Sequence, residues 1–173
     1  LVLAGGTSFV SGLVINRWSG RAIYIHGPGG NVISQNFIGT DVTGTVDLGN
    51  GGISAIHIED SPGNAIGAGS LETGNLISGN DANGIRIDGA LSISNIVYFN
   101  KIGLTATGTA LGNAITGIYL RLAPNTQITG NEIRFNGGLG AITVCGDNAT
   151  ATCPGPALGT PGNASGTLIY NNV

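Results

Sequence analysis

Ile38-Gly39-Thr40-Asp41-Val42-Thr43-Gly44-Thr45-Val46-Asp47-Leu48-Gly49-Asn50 returns, one residue shorter, as Ile102-Gly103-Leu104-Thr105-Ala106-Thr107-Gly108-Thr109-Ala110-Leu111-Gly112-Asn113. Each copy leads into a short apolar alternation, Ala55-Ile56-His57-Ile58 and Gly117-Ile118-Tyr119-Leu120, so the repeating unit holds a strand as well as a loop. Internal repetition at a regular period marks a chain that stacks on itself instead of closing one globular core.

Working outward, the alternation recurs at Ala22-Ile23-Tyr24-Ile25, Gly84-Ile85-Arg86-Ile87 and Gly140-Ala141-Ile142-Thr143-Val144, with steps of 33, 29, 33 and 24 residues between the leading isoleucines. Between these markers lies a second signature, an asparagine followed by an apolar pair: Asn31-Val32-Ile33-Ser34-Gln35-Asn36, Asn75-Leu76-Ile77-Ser78-Gly79-Asn80, Asn95-Ile96-Val97 and Asn125-Thr126-Gln127-Ile128-Thr129-Gly130-Asn131. Each unit therefore offers about three short strands with a period of two, which fits a sheet buried on one face. Glycine and asparagine supply the positive φ that tight corners need. Helical periodicity is missing, and the long helical crossovers of an ordinary parallel sheet are missing with it. Three parallel sheets wound into one coil, like strand above like strand, satisfy all of these constraints.

These residues resemble the right-handed parallel β-helix repeat proteins, the superfamily of the pectate lyases and of many bacterial secreted and surface proteins. The resemblance runs over about residues 13–144 and implies an all-β, three-sheet solenoid of about five to six rungs. It also implies asparagine ladders, in which each side-chain amide bonds to the next rung.

The 173 residues are expected to form a single domain with a long loop at about 145–163 closed by a Cys145–Cys153 disulfide, which implies an extracellular or cell-surface location. Lacking methionine and starting within a strand-like stretch, the chain reads as a piece of a longer protein whose C-terminal rung, 166–173, is uncapped and available for docking. Asn148 and Asn163 stand in N-glycosylation acceptor patterns. Charged residues make up 9% of the chain and the net charge is −3, which gives no electrostatic footprint for nucleic acid. No apolar run is long enough to span a bilayer.

Stacking the marker strands places Tyr24, His57, Arg86, Tyr119 and Thr143 in one outward column and His26, Glu59, Asp88, Arg121 and Cys145 in the next. Tyrosines can stack on sugar rings and Arg, Asp and Glu can bond hydroxyls, so this face is the expected ligand-binding surface for a polysaccharide or protein partner. The alternative is plain surface polarity, with Arg121 and Asp88 forming a solvated pair of little energetic value. Glu59, Asp88 and Arg86 are the catalytic candidates if the chain is a polysaccharide lyase or glycosidase. No cofactor is expected; calcium is the one cation to consider, through Asp41 and Asp47. Thr105 in place of Asp41 in the sister loop, however, makes these carboxylates turn formers. The leading expectation is a non-catalytic scaffold or adhesion segment; a subunit of a larger extracellular assembly is the third reading.

Overall fold

The structure, a computed structural model, describes residues 1–145 and 166–173. It is built of strands without a helix among the described residues: β1 (Val2–Leu3), β2 (Phe9–Ser11), β3 (Val14–Ile15), β4 (Ile23–His26), β5 (Val32–Ser34), β6 (Phe37–Ile38), β7 (Ser54–Glu59), β8 (Ala65–Gly67), β9 (Leu76–Ile77), β10 (Asn83–Asp88), β11 (Ile96–Tyr98), β12 (Lys101–Ile102), β13 (Thr116–Arg121), β14 (Gln127–Thr129), β15 (Glu132–Ile133), β16 (Gly140–Cys145) and β17 (Leu168–Tyr170). Every third strand pairs in parallel. The sheets run β1-β4-β7-β10-β13-β16, β2-β5-β8-β11-β14-β17 and β3-β6-β9-β12-β15. The chain is a three-sheet parallel β-helix of about six rungs.

The register is the one the marker spacing predicts. Ile23, Ile56, Ile85, Ile118 and Ile142 stand opposite one another through five successive rungs. Two residues on, Ile25, Ile58, Ile87, Leu120 and Val144 form a second column. With Ile33, Ile66, Val97 and Ile128 from the second sheet and Ile38, Ile77 and Ile102 from the third, they fill one continuous apolar core. Isoleucine suits both demands, since its branched Cβ favours the strand and its bulk fills the interior.

Three asparagine ladders run up the corners. Asn31, Asn64 and Asn95 stack at the turn into the second sheet, each side-chain Nδ2 donating to the next Oδ1 at 2.8–2.9 Å. Asn36, Asn75, Asn100, Asn131 and Asn172 stack at the turn into the third, at 2.8–3.0 Å. Asn50, Asn80, Asn113 and Asn136 stack at the turn back into the first, at 2.8–2.9 Å. The Asn31–Asn36 and Asn75–Asn80 segments, alike as sequence, therefore occupy different corners: the first flanks β5 of the second sheet, the second flanks β9 of the third.

The residue before each asparagine of the first ladder sits in the left-handed region: Gly30, Gly63 and Ser94, with Thr7, Asn125 and Gly166 at the same corner in the other rungs. A reversed φ at this point turns the backbone and aims the following side chain inward, so the corner and the ladder are one device.

The two repeated loops lie at the corner between the third and first sheets. Each is pinched by an antiparallel bridge, Thr40 to Asp47 and Leu104 to Ala110, and the loops stack through the Ala106 N–H to the Gly44 carbonyl at 2.9 Å. Their shared Ile-Gly opening has a steric cause. Gly39 and Gly103 hold φ of +95° and +88°, and a Cβ on either would come within 2.2 Å and 2.0 Å of a backbone oxygen of the next rung. Asp41 organises the first loop, accepting from the Thr43 hydroxyl and the Thr45 and Val46 N–H groups, chiefly the hydroxyl, which holds its pKa at about 2. Thr105 does the same work in the second by accepting from the Thr109 N–H at 3.0 Å. Asp47 accepts from Gly49. Both carboxylates thus serve their own loops.

Candidate functional site

The first sheet has the longest strands, and its outward face carries both predicted columns in the predicted register. Tyr24 stands opposite His57, His57 opposite Arg86, Arg86 opposite Tyr119 and Tyr119 opposite Thr143; His26, Glu59, Asp88, Arg121 and Cys145 follow in parallel. Facing outward does not make these side chains solvated. His57, Asp88, Thr143 and Cys145 are buried, Tyr24, His26, Glu59, Arg86 and Tyr119 are half-buried, and Arg121 is exposed. Large side chains spaced by one strand separation, roughly 4.8 Å, cover one another.

The column is closed into one network. Tyr24 donates its phenolic hydroxyl to Glu59 at 2.5 Å and stacks on His57 at 5.5 Å between ring centroids, while the Arg21 guanidinium lies over the Tyr24 ring, 4.5 Å from its centroid. The hydrogen bond from Tyr24 to Glu59, aided by burial, raises the tyrosine's pKa above its ordinary value. His57 Nε2 lies 3.1 Å from Asp88 Oδ2, which also accepts from Arg86; Arg121 donates to Asp88 Oδ1 at 3.2 Å. Arg86 in turn covers the Tyr119 ring at 4.6 Å. His57 Nδ1 is buried without a partner.

Asp88 is the centre of this cluster. Its side chain is 4% exposed, so the Arg121–Asp88 pair is not the solvated contact that rung spacing alone suggests. Burial works to raise its pKa, but the hydrogen bonds from His57 and Arg86 and the charges of Arg86 and Arg121 outweigh it, and the net shift is downward. A carboxylate ionised more readily in the folded than in the unfolded chain stabilises the fold above its ordinary pKa of 3.8 and loses that contribution as pH falls through the folded value. Asp88→Asn is therefore expected to lower the melting temperature at pH 7 and to flatten its decline below about pH 4. An unchanged acid slope in thermal melts would show that Asp88 is not the coupled group.

Chemically, the carboxylates of this face are engaged by their neighbours. Glu59 and Asp88 stand side by side across one strand pair, but the first accepts from Tyr24 and both oxygens of the second are taken by cationic or imidazole donors. Among the described residues, no group of three or more His, Cys, Asp or Glu side chains converges to hold a metal ion. Cys145 closes β16; Cys153, Asn148 and Asn163 lie outside the described residues. No described helix is long and apolar enough to cross a membrane.

Among the described residues, concavities also lie away from the first sheet. One, of about 410 Å³, is lined by Gly69, Ser70, Leu71, Glu72, Phe99, Thr129, Gly130 and Asn171. A smaller one of about 160 Å³ shares Leu71 and Glu72 and reaches Phe37, Leu76, Lys101 and Ala106. The signal that marks them is a count. The second and third sheets are joined by two residues in four rungs but by the eight residues 68–75 between β8 and β9.

No protein-family model, curated protein or solved structure matches the chain.

Proposed function

We propose that this chain is a non-catalytic, rigid β-helix segment of a bacterial secreted or surface protein, which spaces and displays a surface for adhesion to a polysaccharide or protein partner. The observation that carries the reading is the closure of the first sheet's outward network, in which the carboxylates best placed for acid and base work are engaged by Tyr24, His57, Arg86 and Arg121. A proton donor in glycoside cleavage needs a raised carboxyl pKa, whereas Asp88 is shifted the other way. Support for the mechanical role comes from three inner asparagine ladders and one apolar column, which tie each rung to the next. The extracellular placement rests on the resemblance to secreted β-helix proteins and on the pairing expected of Cys145 and Cys153 from sequence, the second of which lies outside the described residues.

The test is a turnover screen of the folded chain against acidic and neutral polysaccharides, with and without calcium. No released reducing ends and no unsaturated products are expected in any well. Turnover that disappears in Asp88→Asn or Arg86→Ala variants that remain folded would make the chain an enzyme and overturn the reading.

A further inference from the structure

The cleft beside Phe99 is built from features that the stack itself does not require. Residues 68–75 replace a two-residue corner and are tied into a compact turn, with the Gly74 N–H donating to the Ser70 carbonyl at 2.9 Å and Ser70 and Thr73 bonded through their hydroxyls. Phe99 occupies the corner position next to its ladder asparagine with φ of +54°. The same left-handed corner is held by Gln35, Gly130 and Asn171 in other rungs, so the turn accepts residues with and without a side chain and does not itself call for an aromatic ring. The ring lies directly over Gly130, where a Cβ would approach it to 2.6 Å, and packs edge-on to Tyr98 at 6.1 Å between centroids.

The cleft that Phe99 lines is also lined by Ser70, Glu72, Thr129 and Asn171, which carry hydroxyl, carboxylate and amide groups. We propose that this cleft binds a neutral sugar ring of a glycan chain, its apolar face stacked on Phe99 and its hydroxyls bonded by Ser70, Glu72, Thr129 and Asn171. The volume suits one small ligand, and an aromatic platform edged with hydrogen-bonding groups matches a ring that is apolar on its faces and polar at its rim. Glu72 selects for neutral sugars. Its pKa is lowered, chiefly by the Ser70 hydroxyl and further by the Lys101 charge, and an exposed carboxylate is negative at neutral pH in any case, so it disfavours uronates at the cleft. The inference deepens the adhesion reading by naming its site and ligand class.

Calorimetric titration of the chain with cellohexaose, xylohexaose, mannohexaose and an oligogalacturonate of equal length tests it. At least one neutral hexasaccharide is expected to bind while the oligogalacturonate does not. Phe99→Gly, which relieves the backbone and removes the ring, is expected to weaken binding tenfold or more with an unchanged or higher melting temperature. Glu72→Gln should admit the oligogalacturonate. Silence with all neutral probes, preference for the uronate in the unmodified chain, or unchanged affinity in Phe99→Gly would overturn the site. Affinity lost in Tyr119→Ala but kept in Phe99→Gly would overturn it by moving the contact to the first sheet. Turnover of a bound probe would instead defeat the non-catalytic reading and leave the cleft standing.

Discussion

Ile85→Asp is expected to abolish cooperative folding. Ile85 is fully buried in the middle of the inner column, with Ile56 below and Ile118 above in register. Removing its side chain costs about 2–5 kcal/mol through lost burial and cavity. Placing a carboxyl there adds the cost of a polar group with no partner among isoleucines, about 2–7 kcal/mol even when protonated. The sum is comparable to the whole stability of an ordinary domain, about 5–15 kcal/mol. Because each rung touches only its neighbours, the break also separates the rungs on either side of it. Circular dichroism should show no sharp thermal transition; a melt like that of the unmodified chain would mean that residue 85 is not in the column.

Asn100→Leu is expected to be the next most damaging change, although leucine is apolar and nearly isosteric. Asn100 accepts from the Asn75 backbone N–H at 3.1 Å and the Asn75 side-chain amide at 2.8 Å, and donates to the Ile66 carbonyl at 2.8 Å and to Asn131 at 2.9 Å. Leucine leaves the Asn75 N–H and the Ile66 carbonyl buried without these partners. At about 1–3 kcal/mol for each of the two orphaned groups, a loss of about 2–6 kcal/mol follows. Asn172, at the other end of this ladder, likewise accepts from the Asn131 N–H and side-chain amide and donates to the Ile128 carbonyl but is half-exposed, so water replaces these bonds and Asn172→Leu should cost about 1 kcal/mol. Denaturant melts of the two variants should therefore differ severalfold in lost stability. Equal losses would contradict a ladder whose value lies in burial.

The inner column was legible because it depends on local pattern alone. Gly or Ala followed by Ile-x-Ile states both a turn and a face, and the same five isoleucines meet in register. The ladders were legible in kind but not in assignment. Asn31 and Asn36 are five residues apart, as are Asn75 and Asn80, yet the pairs flank different sheets: where the third-to-first corner carries no repeat loop, as after Asn75 and Asn131, the asparagines flanking the third sheet come to the same spacing as those flanking the second. Membership of the outward columns followed from register. Their burial did not, since it is set by the reach of Tyr24, Arg86 and Arg121 over their neighbours. The cleft at Phe99 carries no motif, only the long corner 68–75, whose residues meet those of another rung's corner.

Side-chain amide hydrogen exchange, followed by NMR, tests most directly whether the asparagines form the spine of the stack. The account predicts that the Nδ2 protons of Asn64, Asn75, Asn80, Asn100 and Asn113 exchange as slowly as the core backbone amides, because releasing them requires neighbouring rungs to separate. The exposed Asn171 should exchange at the rate of a free amide. Ladder amides that exchange as fast as that of Asn171 would contradict the stacked spine, and with it the rigid column on which the proposed function rests.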